Sequence, residues 1–362
     1  MVDELSWARI GERVRESRAS AGLSQQELAD RIGLERSMIS KLEKGDRRID
    51  AMELTLIAGE LDFPVTHFLA PVPEVVSRRT AFTEQSGAGD SAAARSAYRT
   101  EACLSQWSRE VHQLIDLGVL RPNPLLRYPG EVSDPRSARE AAEWLRTRLG
   151  LDADPIESVA DVCERAGQFL AVVPLPSDGA SLVEGDVAVA VVGTQQEPGR
   201  RRSTAAHELG HMVLGDEFST DLGVHASREE RERMIEVFAA ELLLPVSRVR
   251  AAMEGVAERD RRHTLVWLSA TYRVSWGLAL TQLQRSESSR QEEAGRLRAG
   301  APTDVEFKDA LGWKPQADLD SIRVSPRYAS AVVEAVRREL ITPTRAVEMM
   351  HGQITLKELT EE

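Results

Sequence analysis

Thr204-Ala-Ala-His207-Glu208-Leu209-Gly210-His211-Met212-Val213-Leu214-Gly215 carries two histidines four positions apart. On an α-helix, which turns once every 3.6 residues, such positions lie one above the other, so both imidazoles can grip one metal ion. Glu208 follows the first of them and can reach a water at that ion. Leu209, Met212, Val213 and Leu214 give the helix an apolar face. Ser203 or Thr204 is placed to cap it, and Gly215 to end it in the left-handed conformation. A buried notch of two His and a Glu forfeits hydration unless something pairs with it, and a metal is such a partner. The arrangement is that of a zinc hydrolase.

A catalytic zinc site needs a third protein ligand and leaves a fourth position to water. Downstream, Ser227-Arg-Glu-Glu230 reads as a capping box opening a helix from Arg228 to Leu244, which Pro245 stops. Ile235, Phe238, Ala239 and Leu242 form its apolar face, and Glu229, Glu232 and Glu236 are the carboxylates from which the third ligand comes. The sequence Arg202-Ser-Thr-Ala-Ala-His-Glu-Leu-Gly-His211, followed by Glu232-x-x-Ile-Glu-x-Phe-Ala-Ala-Glu-Leu-Leu-Leu-Pro245, resembles the ImmA/IrrE family of bacterial metallopeptidases. The resemblance implies a zincin-like α+β domain in which His207, His211 and Glu232 hold Zn2+, or alternatively Mn2+. It implies Glu208 as catalytic base, and a regulatory protein such as a repressor or antitoxin as substrate. Three positions depart from the family pattern. Ser203 replaces an aromatic, Ile235 a small Ala, and Glu236 an Asn or Asp, so Glu236 stands as a second-shell group or a rival for the metal. The second electrophile is open among His225, His263, Tyr272 and Arg231.

The 362-residue chain, 42% hydrophobic and 29% charged, is long enough for two or three globular domains. It contains no apolar run of about eighteen residues, the length that spans a membrane, and its first residues lack a secretory pattern, so a cytoplasmic protein without a membrane partner is expected. Cys103 and Cys163 are expected as buried thiols. The net charge of −12 excludes a surface coated in base for nucleic acid, so any DNA contact must be a local patch.

Such a patch is readable near the N-terminus. Trp7, Ile10 and Val14 mark a helix ending near Ala21-Gly22. Ser24-Gln-Gln-Glu27 is a capping box for a short helix to Ile32, and Gly33 turns the chain into a second helix with Met38, Ile39 and Leu42 inward. Leu23-Ser-Gln-Gln-Glu-Leu-Ala-Asp-Arg-Ile-Gly33 with Ile39-Ser-Lys-Leu-Glu-Lys-Gly45 resembles the Xre/Cro-type repressors. That resemblance implies that the second helix enters the major groove, with Arg36, Ser37, Ser40 and Lys41 as base readers and Gln25 and Lys44 as backbone contacts. Glu35 departs from the usual Ser or Thr cap. Residues 1–70 hold ten Arg or Lys against thirteen Asp or Glu, so operator affinity should be modest and salt dependent.

The expected organisation is a helix-turn-helix domain of five-helix type over 1–70, a Pro/Ser/Gly/Ala linker over 71–98, a metallopeptidase domain over 99–285, and a charged connection with a helical tail over 286–362. The fold class is mostly α, with an α+β second domain. Within the linker, Gln85-Ser-Gly-Ala-Gly-Asp-Ser91 is the most turn-prone stretch. Helices are expected over Arg99–Gly118, Ser137–Gly150 and, with Asp154-Pro155 as cap and first turn, Ile156–Ala166. Two strands follow, Phe169–Leu175 and Asp186–Gly193. Val187–Val192 reads either as an exposed edge able to pair with a peptide or as a core strand. The tail resembles those of regulators carrying the same two domains, and a homodimer is expected. The functional expectation is a DNA-binding regulator with zinc-dependent endopeptidase activity toward a regulatory partner. The alternative is a transcriptional regulator whose metallopeptidase-like domain is a non-catalytic sensor.

Overall fold

The computed structural model describes residues 6–69, 77–79, 89–215, 225–286, 297, 300–313 and 317–360. Five helices come first: α1 (Trp7–Ser20), α2 (Gln25–Ile32), α3 (Arg36–Glu43), α4 (Ala51–Leu61) and α5 (Val65–Leu69). Their starts follow from local chemistry. Ser6, Ser24 and Asp50 each accept a backbone N–H, and the Ser24/Glu27 and Asp50/Glu53 pairs close reciprocal capping boxes. Gly33, at φ +71°, makes the left-handed turn between α2 and α3. Ile10, Val14, Leu28, Ile39, Leu42, Ile57 and Phe68 form their common core.

A short strand, β1 (Ser77–Arg79), precedes the 28-residue helix α6 (Gly89–Asp116). The helix begins ten residues before the predicted Arg99, inside the stretch read as linker. Ala92, Ala93 and Ala94 are strong helix formers, and further along Tyr98 and Ala102 have something to pack on, the core of the five helices. The Tyr98 hydroxyl is bonded to His67 Nε2 at 2.7 Å and to Ser17 Oγ at 3.1 Å. Farther along, Leu104, Trp107, Val111 and Leu114 belong to a second core. Residues 70–76 and 80–88 of the expected linker, and the charge-dense stretch 287–296, lie outside the described residues.

The second unit continues with α7 (Pro135–Arg148), α8 (Val159–Arg165), β2 (Gln168–Val173), β3 (Gly179–Glu184), β4 (Val187–Gly193), α9 (Pro198–Val213), α10 (His225–Leu243), α11 (Val246–Met253), α12 (Arg261–Thr271) and α13 (Trp276–Ser286). After these come α14 (Asp304–Leu311), β5 (Arg323–Val324), α15 (Pro326–Arg337), α16 (Pro343–Met349) and α17 (Leu356–Thr360). The mixed sheet has the order β1-β3-β4-β2-β5, with β2 and β4 parallel and the other pairs antiparallel. One face packs on α7–α10 and the helices that follow them through Val159, Leu209, Phe238 and Leu268. The other face is covered by α6, α15 and α16 through Trp107, Tyr328, Val332 and Met349. The C-terminal helices therefore complete this unit, giving helices on both sides of a sheet.

Several expectations are corrected. β4 lies between β3 and β2 and is buried along its whole length, so Val187–Val192 is a core strand and not an edge. The strand β3 was not foreseen. It forms a hairpin with β4 across Gly185-Asp186, and Gly185 at φ +59° supplies the turn. The helix α9 starts at Pro198, so Ser203 and Thr204 lie inside it; Ser203 Oγ instead bonds the Gly199 carbonyl. Ser158, not Asp154, caps α8. Ser227 falls within α10 rather than at its cap. Among the described residues no disulfide forms and no helix is long and apolar enough to cross a membrane.

Candidate metal centre

The arrangement of the centre begins with a glycine. Gly210 sits where α9 meets α10, and a Cβ there would lie 2.9 Å from Ile235 Cγ2 and 3.0 Å from Phe238 Cδ1. Without a side chain at this position the helices close on each other. Four residues apart on α9, His207 and His211 have Nε2 atoms 3.2 Å apart, and Glu232 of α10 brings Oε2 to 3.2 Å from His207 Nε2 and Oε1 to 3.9 Å from His211 Nε2. One donor atom from each of the three lies within 4.8 Å of the others. Ligands about 2.0–2.2 Å from a tetrahedral ion are themselves about 3.3–3.6 Å apart, so the spacing suits zinc or a similar divalent cation. A proton between two imidazoles bridges a single pair; a cation partners all three donors.

The histidines are each 2% exposed, whereas the Glu232 side chain is 40% exposed and opens the centre to solvent. Glu208 is fully buried. Its Oε2 accepts the Ser181 hydroxyl at 2.7 Å, and Oε1 has no hydrogen-bond partner among the described residues, nor does His207 Nδ1. An unpaired oxygen on a buried carboxylate is costly unless a water or ion meets it. Beside it, Gly179 of β3 lets the sheet touch α9: a Cβ there would lie 2.7 Å from Thr204 Cγ2 and 3.6 Å from Glu208 Oε1.

Glu236 is exposed and outside this donor set, its charge acting on Arg285. The Tyr272 hydroxyl donates to the Ala153 carbonyl at 2.6 Å, and His263 pairs with Asp309 at 3.3 Å. Arg231 is exposed on α10, and the His225 side chain lies outside the described residues. Ser181 escaped the sequence reading. Its signal was a lone polar residue between Ala180 and Leu182, ahead of the Gly185-Asp186 turn.

A buried pair anchors the N-terminal half of α9. Arg202 bonds the Asp318 carboxylate and donates to the Ile156 carbonyl at 2.8 Å, while Asp318 also accepts the Val159 N–H at 3.0 Å, capping α8. Burial pushes the Arg202 pKa down, opposed by Asp318.

In the first unit, Arg36, Ser37 and Lys41 are exposed on α3, Ser40 is half-buried and Lys44, also exposed, ends the helix. Gln25 Nε2 donates to Glu43 at 2.7 Å, and the same carboxylate takes Arg18 at 2.5 and 3.1 Å. Glu35 makes no capping bond and accepts the Ser37 hydroxyl at 3.3 Å.

Comparison with known proteins divides along the same line. A family model described as helix-turn-helix matches residues 14–68, and one described as IrrE N-terminal-like domain matches residues 183–284. An uncharacterized transcriptional regulator in the ATPase CF(0) region of Rhodospirillum rubrum is 41% identical over 63 residues, which is 17% of this chain and 58% of that protein. An uncharacterized HTH-type transcriptional regulator of Sinorhizobium medicae (strain WSM419) is 36% identical over 64 residues, 18% of this chain and 46% of that protein. The chain thus spans about half the length of the curated relatives it matches. Among solved structures, Bacillus thuringiensis PlcR in complex with the peptide PapR7 and DNA overlaps 98% of this chain and 100% of its own at a TM-score of 0.19 and 11% identity. ComR from Streptococcus suis overlaps 96% and 94% at a TM-score of 0.17 and 13% identity. Scores this low carry no structural argument. By its family matches, this chain joins a helix-turn-helix domain, at residues 14–68, to an IrrE N-terminal-like, metallopeptidase-like domain, at residues 183–284.

Proposed function

We propose that the chain is a cytoplasmic DNA-binding regulator, acting as a homodimer, whose second domain is a metal-dependent endopeptidase that cuts a regulatory protein such as a repressor or antitoxin. The observation that carries this reading is the meeting of His207, His211 and Glu232 within 4.8 Å beside a buried Glu208 with one oxygen unpartnered. A divalent ion held by those three residues, Zn2+ or alternatively Mn2+, would supply Lewis acidity that acidifies water and polarises a peptide carbonyl. Glu208 is the proton carrier. Ser181 fixes Oε2, leaving Oε1 to take a proton as water attacks the carbonyl carbon and to return it to the amine as the C–N bond breaks. Burial of Glu208, His207 and His211 keeps bulk water from competing for these groups. Glu236, exposed one turn beyond Glu232, is left a second-shell role at most.

For DNA, exposed Arg36, Ser37 and Lys41 with half-buried Ser40 offer base contacts, and Lys44 a phosphate contact. Gln25, held by Glu43, acts at the backbone with its amide oriented in advance. The test is cleavage by purified, metal-supplied protein of repressor-like proteins encoded beside its gene. Glu208→Gln should retain bound metal, measured by elemental analysis, and lose cleavage about 100- to 10,000-fold. Equal cleavage by this variant would overturn the assignment, and absence of cleavage by the wild type would favour the sensor alternative.

A further inference from the structure

The strand next to the proposed catalytic base is β3: Ser181 holds Glu208, and Gly179 lies against Thr204 and Glu208. One side of β3 is taken by β4. The other side is the position where an extended peptide would add by main-chain hydrogen bonds, beside α9. This position is filled by the chain itself. β1 pairs antiparallel with β3 in the register Ser77↔Ser181, Arg78↔Ala180 and Arg79↔Gly179, and it approaches α9 as well.

We infer that Ser77–Arg79 is a resident, substrate-like occupant of the peptide-binding edge of the metal centre, competing in cis with any peptide that the centre is to cut. This rests on the peptidase reading and specifies how that site is regulated. Three observations carry it. The residues that β1 faces are the same ones that contact the centre, so a substrate strand and β1 cannot pair there together. The pairing is three residues long, the short end of the usual range, so few main-chain hydrogen bonds hold β1 against a competing strand. Both flanks are tied to the DNA-binding unit: α5, which ends at Leu69, belongs to it, and α6, which starts at Gly89, packs against α1 and α5.

The competition has a calculable size. A short tether gives an effective concentration of about 1 mM, so a rival peptide with an intrinsic Kd of about 0.1 mM is weakened roughly tenfold. The probe is a fluorescently labelled synthetic peptide with the sequence of residues 73–83, titrated by anisotropy into the full-length chain. Proline carries no N–H, so the combined variant Ser77→Pro, Arg78→Pro, Arg79→Pro removes the pairing whatever its hydrogen-bond alternation. It should bind the peptide about tenfold more tightly than wild type; equal affinities in two folded proteins would overturn the proposal. A second measurement needs no variant. In wild type, excess peptide should speed amide exchange at 77–79 while 179–181 stay protected, and unchanged exchange at 77–79 with the peptide bound would overturn it equally. Both readouts are of binding, so their failure leaves cleavage untouched, and a failure of cleavage leaves them intact.

Discussion

Replacing Asp318 by alanine should unfold the sheet-containing unit more readily than its position on a connecting segment suggests. Asp318 is 4% exposed and Arg202, its partner, 1%. Removing one member of a buried pair leaves an uncompensated charge, which costs about 3–5 kcal/mol. The Val159 N–H loses its acceptor too, for about 1 kcal/mol more. Arg323, the third partner at 3.4 Å, is 45% exposed and adds nothing measurable. The sum, about 4–6 kcal/mol, corresponds to an apparent midpoint lowered by roughly 10 °C or more in a unit of this size. Thermal and urea unfolding followed by far-ultraviolet circular dichroism measure it. The double substitution Arg202→Met with Asp318→Leu removes both charges and should recover at least half of the loss. A loss below about 1 kcal/mol for Asp318→Ala would refute the reasoning, since the charge would then have found water or another partner.

Three further outcomes are expected. Burial, with the Arg13 and Arg109 charges behind it, lowers the His67 pKa from 6.5 to about 4. Folding therefore favours the neutral ring: its contribution, at most about 3 kcal/mol, is complete above pH 6.5 and lost as pH falls from 6.5 toward 4. The urea midpoint of the first unit should fall across that window in wild type, and His67→Phe should flatten that dependence. Gly210→Ala should force α9 and α10 apart, costing about 1–3 kcal/mol by overpacking. Because Glu232 rides on α10, metal affinity measured against a competing chelator should also weaken by at least tenfold; unaltered affinity would show that this contact does not set the donor spacing. Lys44→Ala should weaken binding to all DNA sequences alike and reduce the salt slope by about one, whereas Arg36→Ala should change sequence preference, both read by anisotropy with labelled duplexes.

The histidine half of the candidate centre was legible because its determinants are local, whereas Glu232 was singled out by resemblance to the family motif. The four-residue spacing of His207 and His211 places them on one helix face, and the Ser24/Glu27 box marks α2 through bonds spanning three residues. What escaped depends on distant partners. The first half of β3 is Gly179, Ala180 and Ser181, small residues whose extended state is decided by pairing with β1 and β4 rather than by propensity. The central position of β4 follows from that unseen strand. Arg202 is in the family motif, but the residue that neutralises it lies 116 positions away. Gly210 looked like an ordinary member of the motif, and its purpose appears only once Ile235 and Phe238 are seen against it.

The long helix α6 has a consequence for anyone dividing this protein. Phe63 stacks on His67 at 4.7 Å and meets the edge of Tyr98 at 5.8 Å, while Tyr98 hydrogen-bonds His67. A fragment trimmed at residue 70 would strip away that aromatic clasp and expose the underside of its own bundle. Scission of the chain between the two families' boundaries, upstream of α6, would not release the helix-turn-helix part either, since it would stay moored to the remainder through a helix that belongs to both.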